Sequence, residues 1–182
     1  MDKGKQPIKE EGSSKEQEEL IKHPYIDTEK AAETIKSLWI EATKKLAMFH
    51  TFMTTEVAKS MSESYMKTYH DKFGSLYASG LAAQKTAKTE LHPLTPRIVF
   101  MCAMYRQPIS AALKKLEENN LESVEGVVLP EGLVDEPNRM LSECPPKILH
   151  KMLRFMQNFI VIWFNIEKCQ LVIEQSGGLH HH

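Results

Sequence analysis

Apolar positions between Asp27 and Met53 fall at Ala31, Ile35, Leu38, Trp39, Ala42, Leu46, Phe49 and Met53, mostly at steps of three and four residues. That spacing predicts one amphipathic helix with Asp27 as its N-cap. Val57, Ala58, Met61, Tyr65, Tyr69 and Phe73 carry the same period to Gly74, so a second helix is expected, opened or bent at Thr54 or Thr55. A weaker helical stretch follows from Ser75 to about Thr89, interrupted by Gly80. Thr95 and Pro96 then read as a cap and first turn for the segment Ile98 to Tyr105. Being apolar on every side, that segment is expected to be buried, and Pro108 to interrupt it. Ile109, Ala112, Leu113 and Leu116 form another stripe, closed by Asn119 and Asn120, which tolerate left-handed backbone.

From Leu121 to Pro137 the pattern breaks down into a long acidic loop with room for one short strand. After Pro145 and Pro146 the helical spacing returns through Ile148, Leu149, Met152, Leu153, Met156, Phe159, Ile160, Trp163 and Ile166. Its apolar face widens until it nearly encircles the axis at Phe159 to Phe164, the signature of a helix covered on several sides. Together these elements predict an all-α single-domain bundle of five to seven helices with a long hydrophobic C-terminal helix. Residues 1–23 are almost devoid of apolar side chains and are expected to be a disordered charged arm, with the helical domain over 24–175. Residues 176–182 read as a linker and histidine-tag remnant.

Composition narrows the class. With 42% hydrophobic and 26% charged residues, 8 Gly and 9 Pro, the chain is neither collagenous nor low-complexity. Three cysteines with no CxxC spacing argue against a disulfide framework and a zinc ribbon, and point to a reducing, cytoplasmic setting. The N-terminus has no apolar signal region and the longest unbroken apolar run is the eight residues Ile98 to Tyr105, so neither secretion nor membrane spanning is expected.

The formal charge of −1 excludes a globally basic nucleic-acid binder, but charge is unevenly placed. From Asp27 to Lys115 there are 13 Lys or Arg against 8 Asp or Glu, and from Leu116 to Glu143 there are 8 acids against Arg139 alone. Lys44, Lys45, Lys59, Lys67 and Lys72 lie off the apolar stripes and form a candidate phosphate-tracking face. Lys85, Lys88, Arg97 and Arg106 extend it, and Tyr65, Tyr69, Tyr77 and Tyr105 are candidates for stacking on single-stranded bases. Ten methionines supply adaptable apolar surface. Of these, Met48, Met66 and Met104 fall off the main stripes, where they suggest subunit contacts.

Enzymatic signatures are sparse. The order His50, His70–Asp71, Asp135 resembles the HD phosphohydrolases, all-helical proteins in which two histidines and two aspartates hold a divalent ion that activates water. The resemblance covers four residues, with a short first gap, no apolar run ahead of His70–Asp71, and Asp135 in a loop. Hydrolase, NTPase, dinucleotide and zincin motifs are absent. Cys144, just ahead of a helix N-terminus, sits where a thiol pKa is lowered, but no base is assigned to it, and His92 and His150 read as structural or solvent-facing. The leading expectation is therefore a non-enzymatic structural protein that self-associates and binds RNA or single-stranded nucleic acid, as a capsid or nucleocapsid subunit does. A helical interaction module docking a partner helix is the alternative, and an HD-type hydrolase the third reading. No catalytic residue, metal, cofactor, small-molecule substrate or membrane contact is assigned.

Overall fold

A computed structural model describes residues 27–78 and 91–180, with side chains over 27–73 and 91–176. The expected N-terminal arm and most of the Ser75–Thr89 stretch lie outside the described residues. Those described form an all-α fold of six helices with no strand among them.

Helix α1 spans Thr28–Phe52. Asp27 starts it by accepting the Glu29 amide at 2.9 Å, with Glu29 in the first turn complementing the helix dipole. Of the two readings of Thr54 and Thr55, a new cap or a bend, the chain takes the bend, passing through a π-helical turn, Met53–Val57, and a last α turn, Ala58–Ser60. Thr51, Thr54 and Thr55 each donate their hydroxyl to a carbonyl three or four residues back. Such back-bonding competes with the helical ladder and bends it. The wider turn shifts the helical phase, and both Met53 and Val57 end up in the core. The true break comes at Met61, which is extended, and Ser62 accepts the Tyr65 amide at 3.3 Å to open α2, Glu63–Ala78.

Helix α3 covers Thr95–Met104 and α4 covers Arg106–Glu118. Thr95 is the first helical residue, not the side-chain cap, and its hydroxyl turns inward to Thr43 on α1 at 3.0 Å. The break before α4 falls at Tyr105 because the ring of Pro108 would collide with the carbonyl four residues earlier, that of Met104. The expectation that Ile98 to Tyr105 is buried all round is half right. Ile98, Val99 and Cys102 are buried, while Phe100 is 51% and Met104 65% exposed. α4 ends in a left-handed pair, Asn120 and Leu121, with the Leu121 amide bonded back to the Leu116 carbonyl at 2.9 Å.

The segment from Leu121 to Glu136 is a chain of turns with no strand, and it buries Val127, Leu129, Leu133 and Val134. Helix α5, Pro137–Glu143, is anchored by fully buried Met140. Helix α6, Pro146–His180, packs against α1, α3 and α4. Leu149, Leu153, Phe159 and Ile166 have no exposed surface, so each contributes roughly 2–3 kcal/mol of burial. The apolar face of α6 does not encircle the axis, since Val161, Trp163 and Phe164 are only half-buried.

Candidate functional site: a methionine-lined cavity and the faces around it

The helices meet around a cavity of about 70 Å³ whose walls include Phe49 and Met53 of α1, Tyr69 and Phe73 of α2, Met101 of α3 and Met156 of α6. One wall is stiffened by a bond of 2.7 Å between His50 Nδ1 and the Tyr69 hydroxyl, the two rings stacked 5.7 Å apart. Burial holds the His50 pKa below its ordinary value, and His70 pushes in the same direction. His92, in the turn before α3, is lowered too, again by burial. Its Nδ1 accepts the Leu94 amide at 3.1 Å, which requires that nitrogen to be unprotonated.

A wider recess of about 380 Å³ adjoins the cavity, and Phe73, Ile98, Met101, Leu133, Val134 and Asp135 line both. Its rim adds Lys72, Arg97, Glu131 and Gly132. The loop side of the rim is pinned at several points. Lys72 Nζ reaches Asp135 at 2.7 Å, and a Cβ on Gly132 would overlap the Tyr105 hydroxyl, so the backbone abuts the hydroxyl end of that side chain. Further along, Arg139 donates to Glu143 at 2.9 Å, to Glu136 at 3.4 Å, to Ser64 at 2.6 Å and to the Ser62 hydroxyl. Glu143 in turn accepts the Ser62 amide at 3.2 Å, and the Arg139 guanidinium holds its carboxyl below the usual range. The acidic segment thus lies along α2. Beneath it the buried Tyr65 hydroxyl is pushed well up, chiefly by desolvation.

The five candidate lysines divide. Lys67 pairs with Asp71 at 3.2 Å and Lys72 with Asp135, whereas Lys44, Lys45 and Lys59 have no ion-pair partner among the described residues. Lys44 and Lys59 are exposed on α1 and its last turn, with Lys45 half-buried. Arg97 and Arg106 are exposed, while Lys85 and Lys88 lie outside the described residues. Tyr65 and Tyr69 are buried, so neither presents a face to a base, and Tyr105 is half-buried under the loop. The Tyr77 side chain lies outside the description.

The His50, His70, Asp71, Asp135 series is likewise dispersed into other contacts. His50 bonds Tyr69, Asp71 pairs with Lys67 and Asp135 with Lys72. Among the described residues no three His, Cys, Asp or Glu side chains converge as a metal centre requires. Cys144 departs from its expected chemistry: it is buried, and desolvation pushes its thiol up to about 12 instead of lowering it. His150 bonds Glu117 at 2.8 Å on the surface.

Of the off-stripe methionines, Met66 is buried, but Met48 and Met104 are exposed. Met104 lies one turn beyond Phe100, whose ring meets Trp163 edge-on at 5.7 Å, and Trp163 meets Trp39 at 6.4 Å. A surface patch of Phe100, Met104 and Trp163 results, with the Arg106 guanidinium beside it over the Phe164 ring at 5.1 Å. Sequence reasoning named its members but placed exposed Phe100 in the core and Trp163, which packs against the core half-buried, at its centre, because periodicity ranks residues by face and not by how far each face is covered. The cavity had one faint signal, the methionine density, and no motif.

Among the described residues no helix is long and apolar enough to cross a membrane. No protein-family model matches the chain, and no curated protein or solved structure matches it either.

Proposed function

We propose that this chain is a non-enzymatic assembly subunit of the capsid or nucleocapsid kind, which pairs with a second copy of itself through the Phe100, Met104 and Trp163 patch. The observation that carries the reading is the exposure of Phe100 and Met104 on successive turns of α3, continuous with half-buried tryptophans. Contiguous apolar area of this kind on a folded domain marks an interaction surface. Two features favour a second copy as its occupant. The net charge of −1 imposes little repulsion between copies. Arg106, whose guanidinium lies over the Phe164 ring, and Glu167, exposed one turn after Trp163, supply opposite charges that two copies can exchange. Three buried thiols fit a reducing, cytoplasmic setting.

Nucleic-acid binding is the second reading, and it now rests on Lys44, Lys45 and Lys59, whose charges no acid among the described residues neutralises. Phosphate contacts need only such unspent cations. Docking of a foreign helix on the same patch is the rival, and mass in solution separates it from self-pairing. Replacing Phe100 and Met104 together by Ser tests the assignment: assembly is lost while the fold, whose core excludes both side chains, persists.

A further inference from the structure

We infer that the methionine-lined cavity and its recess form a binding site for a small monoanionic amphiphile, a molecule with an unbranched apolar tail and one carboxylate. This inference is independent of self-pairing and uses a different part of the molecule. The two spaces share six lining residues and so form one passage, narrow inside and wide at the rim. Their combined size suits a small organic ligand, for which pockets run to roughly 300–1,000 Å³.

The inner part is lined mostly by apolar side chains suited to an alkyl chain, with Tyr65, Tyr69 and Asp135 among them. Met53, Met101, Met140, Met152 and Met156 all line it, and thioether side chains re-pack at low cost, so the narrow end can lengthen around a tail. Asp135, the charged side chain on the inner lining, also lines the recess, and Lys72 neutralises it at 2.7 Å. Arg97 is exposed at the same rim and has no ion-pair partner among the described residues, so it is the cation left to receive a head group. A guanidinium fork matches a planar carboxylate in two parallel hydrogen bonds. Glu131, also on the rim, adds one negative charge and selects against a doubly charged head such as a phosphate monoester.

Titration calorimetry of the full chain with octanoate, octanol, octylammonium and octyl phosphate tests the site. Octanoate is expected to bind one per chain, about three- to fivefold more tightly than octanol, the increment of a partly exposed ion pair. Arg97→Gln, a surface change that leaves the fold intact, should bring octanoate down to the octanol level. Glu131→Gln should admit octyl phosphate. Met101→Trp, at a half-buried position lining both spaces, should block all four. The inference is overturned if wild type takes up no octanoate at millimolar concentration, if Arg97→Gln leaves the octanoate preference unchanged, or if octylammonium binds best, which would make Glu131 the head-group ligand.

Discussion

The Thr43 hydroxyl is the buried hinge pin between α1 and α3, and its removal gives a sharp test of the packing described above. It donates to the Trp39 carbonyl at 3.1 Å, lies 3.0 Å from the Thr95 hydroxyl and accepts the His92 amide at 3.3 Å. With its one proton spent on Trp39, Thr43 must accept from both others, so Thr95 is the donor in their pair. Thr43 and Thr95 are both inaccessible to solvent or nearly so. Thr43→Val keeps the shape but removes the acceptor that the His92 N–H and the Thr95 O–H share, each lost bond worth about 1–3 kcal/mol. The expected loss is roughly 2–6 kcal/mol, or about 4–24 °C in Tm for a domain of this size. Thr95→Val removes a donor whose absence Thr43 tolerates, and costs about 1 kcal/mol. The Thr43→Val, Thr95→Val double variant loses only the bond of the His92 amide to Thr43, with no Thr95 hydroxyl left to satisfy, and should be more stable than Thr43→Val alone. Urea unfolding of all four proteins gives the cycle. A double variant as unstable as the sum of the singles, or a Thr43→Val loss below about 0.5 kcal/mol, would refute this account of how α3 is held.

Three further outcomes are expected. His50 and His92 both titrate lower when folded than their ordinary 6.5, so the unfolded chain takes up protons first on acidification. Stability should therefore be complete above about pH 6.5 and fall as pH drops below it, and a Tm that is flat or rising from pH 7 to 5 would contradict this. Gly132→Ala should cost about 1–3 kcal/mol by driving a methyl into the Tyr105 ring, with part of the loss recovered by Tyr105→Leu, both read by thermal melts. Lys44→Glu with Lys59→Glu should flatten the salt dependence of single-stranded RNA binding by about 0.7 in log–log slope per contact, whereas Lys67→Glu, whose partner is Asp71, should change it less; equal slopes would retire these lysines.

The all-helical class was legible because apolar spacing of three and four residues survives nearly unbroken from Ala31 to Phe73 and again from Ile148 onward. Boundaries were less so, each for a local reason. Thr54 and Thr55 look like a cap, yet their hydroxyls bond backward into α1 and make a π turn, a choice decided by Met53 and Val57 needing to face the core. Thr95 looks like a cap too, but α1 supplies Thr43 as its partner, a contact 52 residues away that no local rule sees. Tyr65 and Tyr69 lie on the apolar stripe and their burial follows it, which removes them as stacking candidates. Pairing of Lys72 with Asp135 is a product of the loop's path, which Pro130, Gly132 and Glu136 set through turns of no repeating period. Phe100 marks the opposite error, a side chain rich enough in apolar area to be assigned inward that remains on the surface, while Trp163 is half-buried against the core.

The claim that these residues pair two copies is tested most directly by multi-angle light scattering behind size exclusion, across micromolar concentrations and with the 260/280 ratio recorded on the same peak. Wild type should elute at twice the 20.8 kDa chain mass or a higher multiple, and the Phe100→Ser, Met104→Ser variant at the chain mass with an unchanged Tm. A wild-type mass of one chain at every concentration, or a variant that assembles as wild type does, would contradict it.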